Sequence, residues 1–357
     1  MTMNMELLRR DWMKFAAAAL GTIRARAAQK PRWEPKVAEN ISGTDDVTLR
    51  WLAQLGLKWV DLQGSESVNR EKKGFWTLED LQLVQRKCRE FGLEIAAITV
   101  PIAWEMSAML GAAGRDRDIE NINRSIRAVG EAGIPVFQYR WSPDWVWGSE
   151  MGYKTAPGRG GAQYLSFDFD LVKDKPPFKE VGSISYEELW GRLMYFLKAV
   201  IPAAEKANVK LALHPKDPPQ KVVRGVARLF TNVEQVEKLF EAAPSPVNGF
   251  SFCQGTFTEM GVNVIDAIRR IGGRGRIHHV HFRGVRGRVP NYTETFIDEG
   301  DVDMLAAMRA YKAVGYQGAL VSDHTPHLTD DVPGGRIGRT FSHGYIRALI
   351  QAVNGEG

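Results

Sequence analysis

Residues whose side chains bind transition metals stand at the ends of four apolar runs in the second half of the chain. They are His214, Cys253, His281 and Asp323. Taken singly, each has a structural explanation, because a strand-end histidine usually bonds to its rim, a lone cysteine packs in a core and an aspartate caps a turn. Two imidazoles, a thiol and a carboxylate on successive runs together suit Mn²⁺, Fe²⁺, Co²⁺ or Zn²⁺. The pattern predicts a divalent-metal site.

The turn after the first of these residues is unusually stiff. The stretch LALHPKDPP places His214 at the end of an apolar run, followed by Pro215, Lys216, Asp217 and two further prolines. Proline fixes its own backbone angle, so this turn holds the imidazole in one direction. Either His214 fills a gap at the edge of a core, or the turn aims it at a bound group.

From about residue 36 onward, short apolar runs alternate with segments of helical periodicity. The predicted strands are 37–41, 58–62, 94–100, 135–139, 210–214, 249–253, 278–282 and 319–323. The predicted helices are 44–55, 78–91, 118–132, 186–207, 233–242, 262–271, 302–314 and 344–353. Eight strands that alternate with helices predict an α/β fold, the (β/α)8 TIM barrel, over residues 36–357. An open doubly wound sheet is the alternative, but no glycine-rich dinucleotide loop follows the first strand.

The barrel hypothesis brings the four candidate ligands together. The carboxyl ends of the strands of a barrel lie around one rim, where the active sites of such enzymes are built. Two long connections, 141–185 and 283–300, follow strand ends and are expected to lie over that rim.

Composition excludes several classes of protein. The net charge is only +5 and no basic run is interleaved with aromatic residues, so nucleic-acid binding is not indicated. No run of about 18 apolar residues is present, so no membrane span is expected. The two cysteines do not indicate a disulfide framework.

Residues 1–29 have the order of an export signal. Arg9 and Arg10 open RRDWMK, an apolar run follows, and Ala25-Arg26-Ala27 offers small residues two apart. RRDWMK resembles a twin-arginine signal, which predicts a periplasmic protein. The alternative is an amphipathic helix packed on the barrel of a cytoplasmic protein.

Six stretches of the second half carry a family resemblance: LALHPKDPP, SPVNGFSFCQG, RIHHVHFRGV, GDVDM, SDHTPH and HGYIRAL. Through them, residues 185–350 resemble the mannonate dehydratase family of the xylose-isomerase-like barrel superfamily. The first half matches more loosely, through VTLRWL, REFGLEI and VGEAGIPV. The resemblance implies a divalent metal, Mn²⁺ first, held by the four ligands named above.

The resemblance also implies a reaction. A sugar acid, D-mannonate or a related hexonate, would lose water to give a 2-keto-3-deoxy acid, with the metal holding the carboxylate and the 2-hydroxyl. The family's catalytic histidine and tyrosine fall on His324 and Tyr345, and either could be the base. Arg283 matches an arginine of the family site, where it would pair with the carboxylate. Lys216 and Asp217 are the other expected substrate contacts, and a homo-oligomer is compatible with the resemblance.

Three residues depart from the family pattern. Lys216 stands where an aspartate is usual, Gly284 where an asparagine is usual, and Ile297 where a histidine is expected. These departures surround the substrate and leave the ligand set unchanged. Two other functions therefore stand beside the dehydratase: a metal-dependent sugar isomerase or epimerase on the same barrel, and a non-catalytic sugar-binding protein.

Overall fold

The structure of the protein is a computed structural model that describes residues 32–64, 73–144, 148–332 and 334–356. The predicted export signal, residues 1–29, lies outside the described residues. The strands are β1 Lys36–Ile41, β2 Trp59–Gln63, β3 Glu94–Thr99, β4 Val136–Arg140, β5 Tyr153–Pro157, β6 Gln163–Asp168, β7 Lys210–His214, β8 Val222–Val223, β9 Val226–Ala227, β10 Asn248–Cys253, β11 Ile277–His281, β12 Gly284–Arg288, β13 Asn291–Thr295 and β14 Ala319–Val321.

Eight parallel strands close into a barrel, which confirms the predicted fold. Their order around the barrel is β1, β14, β11, β10, β7, β4, β3 and β2. The strand pairs that carry the candidate ligands are direct neighbours, with Cys253 of β10 opposite His281 of β11 in the register. The eight strands correspond to the eight apolar runs of the sequence.

Helices cover the outside of the barrel. They are α1 Asp46–Gln54, α2 Leu78–Arg89, α3 Met106–Leu110, α4 Arg115–Glu131, α5 Tyr186–Ala207, α6 Val233–Ala242, α7 Gln254–Glu259, α8 Val264–Gly272, α9 Met304–Ala313 and α10 Arg336–Gly355. Side-chain caps start several of them, such as the reciprocal bonds between Ser185 and Glu188 at the start of α5. Their buried faces, including Ile122 and Phe196, pack on strand residues such as Phe137 to form the main core. In the described parts of the chain, no helix has the length and apolar character needed to span a bilayer.

The last helix begins eight residues before the predicted start at Gly344, because Gly338 does not interrupt it. A Cβ atom at Gly338 would lie 2.9 Å from the Thr325 hydroxyl, so the glycine allows α10 to pack closely on the segment after β14. Its missing side chain serves packing and not helix termination.

The two long connections, 141–185 and 283–300, were expected to be loops, but they contain regular strands. They form a four-stranded antiparallel sheet in the order β12, β13, β6 and β5, which we call the inserted sheet. Phe167 of β6 stacks on Tyr292 of β13, with ring centroids 5.1 Å apart, in a small core separate from that of the barrel. Glu294 of β13 lies 2.8 Å from His324, which follows β14, so this sheet reaches the carboxyl end of the barrel.

Candidate metal centre

Three of the four predicted ligands meet at the carboxyl end of the barrel. One ligand atom each of His214, Cys253 and His281 lies within 4.8 Å of the others. The Nε2 atom of His214 is 3.2 Å from Nδ1 of His281. Cys253 ends β10 and starts α7, where its sulfur accepts a hydrogen bond from the Thr256 amide at 3.5 Å. Two imidazole nitrogens and a thiolate are donors that Zn²⁺, Fe²⁺, Co²⁺ and Mn²⁺ accept, so the residues present fit a divalent metal.

Asp323, the fourth predicted ligand, lies at the edge of this group. Strand β14 ends at Val321, and Asp323 adopts a left-handed backbone conformation with φ of 56°. Its Oδ2 atom is 3.2 Å from Nδ1 of His281, and its Oδ1 atom accepts a hydrogen bond from the Asn40 amide at 3.4 Å. The carboxylate therefore contacts one ligand of the group and lies outside the mutual cluster of three.

A buried arginine, Arg283, sets the charge around His214, Cys253, His281 and Asp323, which together form the ligand layer. The Nε atom of Arg283 lies 3.3 Å from the Cys253 sulfur and 3.1 Å from Oδ2 of Asp323. Burial alone would raise the pKa of Cys253, but Arg283 and the imidazoles of His214 and His281 lower it to about 5. The sulfur is therefore a thiolate at neutral pH, which is the form that binds metals.

Arg283 was expected to pair with the carboxylate of a substrate, and the structure gives it protein partners. Only 1% of its surface is exposed. Its Nη2 atom donates to Asp217 at 2.9 Å, and its Nη1 atom lies 3.0 Å from Glu259 and 3.5 Å from Glu294. Its position requires Gly255, because a Cβ there would lie 2.3 Å from the guanidinium carbon. These contacts show Arg283 bound to protein carboxylates next to the ligand layer. A direct contact of Arg283 with substrate stays a prediction.

Lys216 and Asp217, the charged residues of the proline-rich turn, also lie inside the protein. Asp217 is buried and bonds both Arg283 and the Thr256 hydroxyl, the latter at 2.5 Å. Lys216 is 7% exposed; its burial lowers its pKa to about 8, and nearby Asp144 opposes that shift. Asp217 therefore holds Arg283 in place, and contact of either residue with substrate stays a prediction.

His324 stands where the ligand layer meets open space. Its Nδ1 atom is 2.8 Å from Oε2 of Glu294, and its Nε2 atom is 3.7 Å from Oδ2 of Asp323. Burial would lower its pKa, but Asp323 and Glu294 raise it to about 9. A cavity of about 590 Å³ begins here, and its lining includes Tyr164, His324 and Arg339.

Tyr345 is not among the described residues that line the cavity at His324. The tyrosine is half-buried on α10, with its ring 6.4 Å from that of Phe341. Burial raises its pKa, as do Asp298 and Asp303. His343, two residues earlier, is instead buried with Nε2 2.7 Å from Glu39. A catalytic role for Tyr345 stays a prediction.

Three buried glutamates of the site were missed by the sequence analysis. Glu259 and Glu294 flank Arg283, and Glu39 of β1 binds Arg339, His343 and Ser322. Burial and the neighbouring Asp217 raise the pKa of Glu259 well above its usual range. One sequence signal existed, because NYTET alternates and places Glu294 on the same face of β13 as buried Tyr292.

Comparison with known proteins identifies the family. The family model for D-mannonate dehydratase (UxuA) matches residues 41–180 and 175–356. The mannonate dehydratase of Streptococcus pneumoniae is 33% identical over 306 residues, which cover 78% of this chain and 83% of that protein. Mannonate dehydratase 2 of Halalkalibacterium halodurans is 28% identical, with 87% of this chain and 97% of that protein covered.

Solved structures agree. The crystal structure of mannonate dehydratase from Streptococcus suis serotype 2 superposes with a TM-score of 0.79 and 30% identity, covering 90% of this chain and 94% of that one. A structure of L-ribulose 3-epimerase, 14% identical with a TM-score of 0.57, shares the fold alone. The chain belongs to the D-mannonate dehydratase family and is a hydro-lyase of the xylose-isomerase-like TIM barrel type.

Proposed function

We propose that the protein is a metal-dependent sugar-acid dehydratase that converts D-mannonate, or a related hexonate, to a 2-keto-3-deoxy acid and water. For D-mannonate the product is 2-keto-3-deoxy-D-gluconate. The observation that carries this proposal is the meeting of His214, Cys253 and His281 beside a cavity that opens at His324. The membership of the family supports the same conclusion.

The ligand layer would hold the electrophile. His214, Cys253 and His281, with Asp323 beside them, would hold a divalent metal, Mn²⁺ first. When bound, such an ion supplies Lewis-acid chemistry that makes the proton at C2 of the substrate more acidic. Arg283 keeps Cys253 as a thiolate and compensates the carboxylates around it, so the layer stays charged without being exposed.

His324 is the residue placed to move a proton. It lines the cavity, Glu294 fixes its ring through Nδ1, and its Nε2 lies 3.7 Å from Oδ2 of Asp323, next to the candidate metal ligands. The inserted sheet thus delivers the carboxylate that orients the catalytic histidine. His324 would exchange a proton with C2 or with the departing 3-hydroxyl, and Tyr345 is the proposed second member of the pair.

The cavity is suited to a polyhydroxylated acid. Its volume of about 590 Å³ is in the range that holds small ligands. Thr155, Gln163 and Tyr164 offer hydrogen-bonding groups from the inserted sheet, and Arg339, which is paired with Glu39, adds a cation to the lining. Such a lining binds hydroxyl groups and a carboxylate through separate contacts.

The experiment is a screen of hexonic and uronic acids with the purified protein and added Mn²⁺, with detection of the 2-keto-3-deoxy product. We expect product from D-mannonate or a stereoisomer, and loss of both bound metal and product in His214→Ala. A metal-loaded protein that forms an isomerised or epimerised sugar, and no keto-deoxy acid from any substrate, would refute the dehydratase.

We also propose that residues 1–29 direct twin-arginine export to the periplasm, on the strength of RRDWMK and the small residues before Ala28. Sequencing the amino terminus of protein isolated from the native host tests this. A mature chain that begins near Ala28, and its retention in the cytoplasm when Arg9 and Arg10 become lysine, would support export. An intact Met1 in cytoplasmic protein would contradict it.

A further inference from the structure

A second cluster of ligand-type residues lies next to the ligand layer inside the barrel. Asp61 of β2, His279 of β11 and His281 are all buried, and one ligand atom of each lies within 4.8 Å of the others. His279 precedes His281 by two residues, so both side chains point to the same face of the strand. Their rings lie edge to face with centroids 5.2 Å apart.

Asp61 is held on several sides by neutral groups. Gln138 of β4 donates to its Oδ1 atom at 2.8 Å, and Gln63 donates to its Oδ2 atom at 3.1 Å. Nε2 of His279 lies 3.4 Å from Oδ2. Ser251 of β10 closes the network, because its hydroxyl donates to Gln138 at 3.1 Å and lies 3.3 Å from Nδ1 of His279. A fully buried carboxyl is costly unless it is hydrogen-bonded, so this network is an organised one.

The two ring nitrogens of His281 have different surroundings. Nδ1 lies 3.2 Å from both Nε2 of His214 and Oδ2 of Asp323, on the side of the ligand layer. Nε2 is buried and has no hydrogen-bond partner among the described residues. A buried N–H needs an acceptor, and a metal-binding histidine normally donates its second N–H to a carboxylate or a water.

We propose that Asp61 is the positioning carboxylate of His281 and accepts the Nε2 proton of that ring, directly or through one buried water. The proposal rests on the proposed function, because it requires His281 to bind the metal through Nδ1. His279 and Gln138 then keep Asp61 in place. The metal centre, whose ligands come from the second half of the chain, is oriented by a residue of the second strand.

The test measures metal binding and the state of the ring in addition to activity. We expect Asp61→Asn to raise the Kd for Mn²⁺ by about 10–100-fold, since the amide is a poorer acceptor than a carboxylate. In Zn²⁺-loaded protein with ¹⁵N-labelled histidine, His281 is expected to carry its proton on Nε2 in the wild type, and that resonance should shift in Asp61→Asn. His279→Asn should raise the Kd in the same direction by less.

Thr99→Val is the matched control. Thr99 is buried and accepts a hydrogen bond at 3.2 Å from Nε2 of Gln138, which still has Asp61 as a partner in the variant, so the Kd of Thr99→Val should equal that of the wild type. Thermal melting shows whether each variant is folded, and His279→Asn carries the test if Asp61→Asn is not.

Two outcomes would overturn the proposal. One is a wild-type Kd and an unchanged His281 resonance in both variants. The other is a stoichiometry of two metal ions, with the second lost in His279→Asn, because the cluster would then be a cation site itself. Neither outcome touches the proposed function, which is tested separately by the formation of the keto-deoxy product and by the loss of metal in His214→Ala.

Discussion

The two halves of the barrel have different tasks at the same rim. Strands β7, β10 and β11 of the second half end in His214, Cys253 and His281, and Asp323 follows β14. Strands β1, β2 and β4 of the first half instead carry Glu39, Asp61 and Gln138, which bond to other side chains in the interior. The second half thus presents the candidate ligands, and the first half supplies buried hydrogen-bonding groups. Only a few residue types can bind a metal, whereas any hydrogen-bonding group can serve as a support, that is, a residue that holds other side chains in place. The first half indeed resembles the family more loosely.

His214→Ala removes one candidate ligand of the second half and should have the largest effect on activity. Loss of one ligand should empty the centre, and a Lewis acid contributes several kcal/mol to such a reaction, so kcat/KM should fall by roughly 10³–10⁴-fold. Metal analysis and steady-state kinetics measure it. His327→Ala changes an exposed histidine of the cavity lining and should keep a full complement of metal. Equal metal content in both variants would contradict the assignment of the ligands.

Arg283→Met tests whether the ligand layer depends on its central cation. The change leaves Asp217, Glu259, Glu294 and Asp323 without their shared partner. Removing one member of a buried ion pair costs about 3–5 kcal/mol, so urea unfolding should show a loss of that size. Arg286→Met, at an exposed position of the neighbouring β12, should change stability by less than about 0.5 kcal/mol. Equal losses would mean that the carboxylates do not depend on Arg283.

Glu294→Gln asks whether the inserted sheet supports chemistry as the first half of the barrel does. The variant keeps the shape of the side chain and weakens the bond to Nδ1 of His324. Proton transfer by a positioned group contributes roughly 10²–10⁴-fold, so kcat should fall by about 10²-fold while metal content stays constant. Thr293→Val, the preceding residue of β13 with its side chain on the opposite face, is the control and should keep kcat. An unchanged kcat in Glu294→Gln would remove this glutamate from the mechanism.

The sequence predicted those parts of the molecule that have a local signal. Alternating apolar runs and helical segments gave the eight strands, and ligand residue types at strand ends gave His214, Cys253 and His281. Asp323 shows the limit, because β14 stops at Val321 and a left-handed residue sets the final direction of the carboxylate. The resemblance placed His324 at the site, and the same resemblance placed Tyr345 there, a role that stays a prediction.

The supports could not be predicted because they pair residues that are distant in sequence. Glu39 meets His343 across 304 positions, and Asp61 meets Gln138 across 77. A buried glutamate in a strand looks the same in sequence as an exposed one until its partner is known. The inserted sheet was hidden for a similar reason, since its two hairpins, β5–β6 and β12–β13, lie in different long connections and join only through the pairing of β6 with β13.

Glu39→Gln tests whether the charge of a buried group in the first half stabilises the fold, and it has the smallest expected effect. Burial alone would raise the pKa of Glu39, but Arg339 and His343 outweigh it and hold that pKa below its usual value. A carboxyl whose pKa is lower in the folded state stabilises the protein above its unfolded pKa, near 4.3, and loses that contribution as the pH falls through the folded value. Hydrogen bonds to charged groups contribute about 1.5–3 kcal/mol, so the variant should be less stable by about that amount at pH 7. Urea unfolding from pH 7 to pH 3 should show the difference shrinking in acid, and a difference independent of pH would mean that Glu39 contributes through packing and not through its charge.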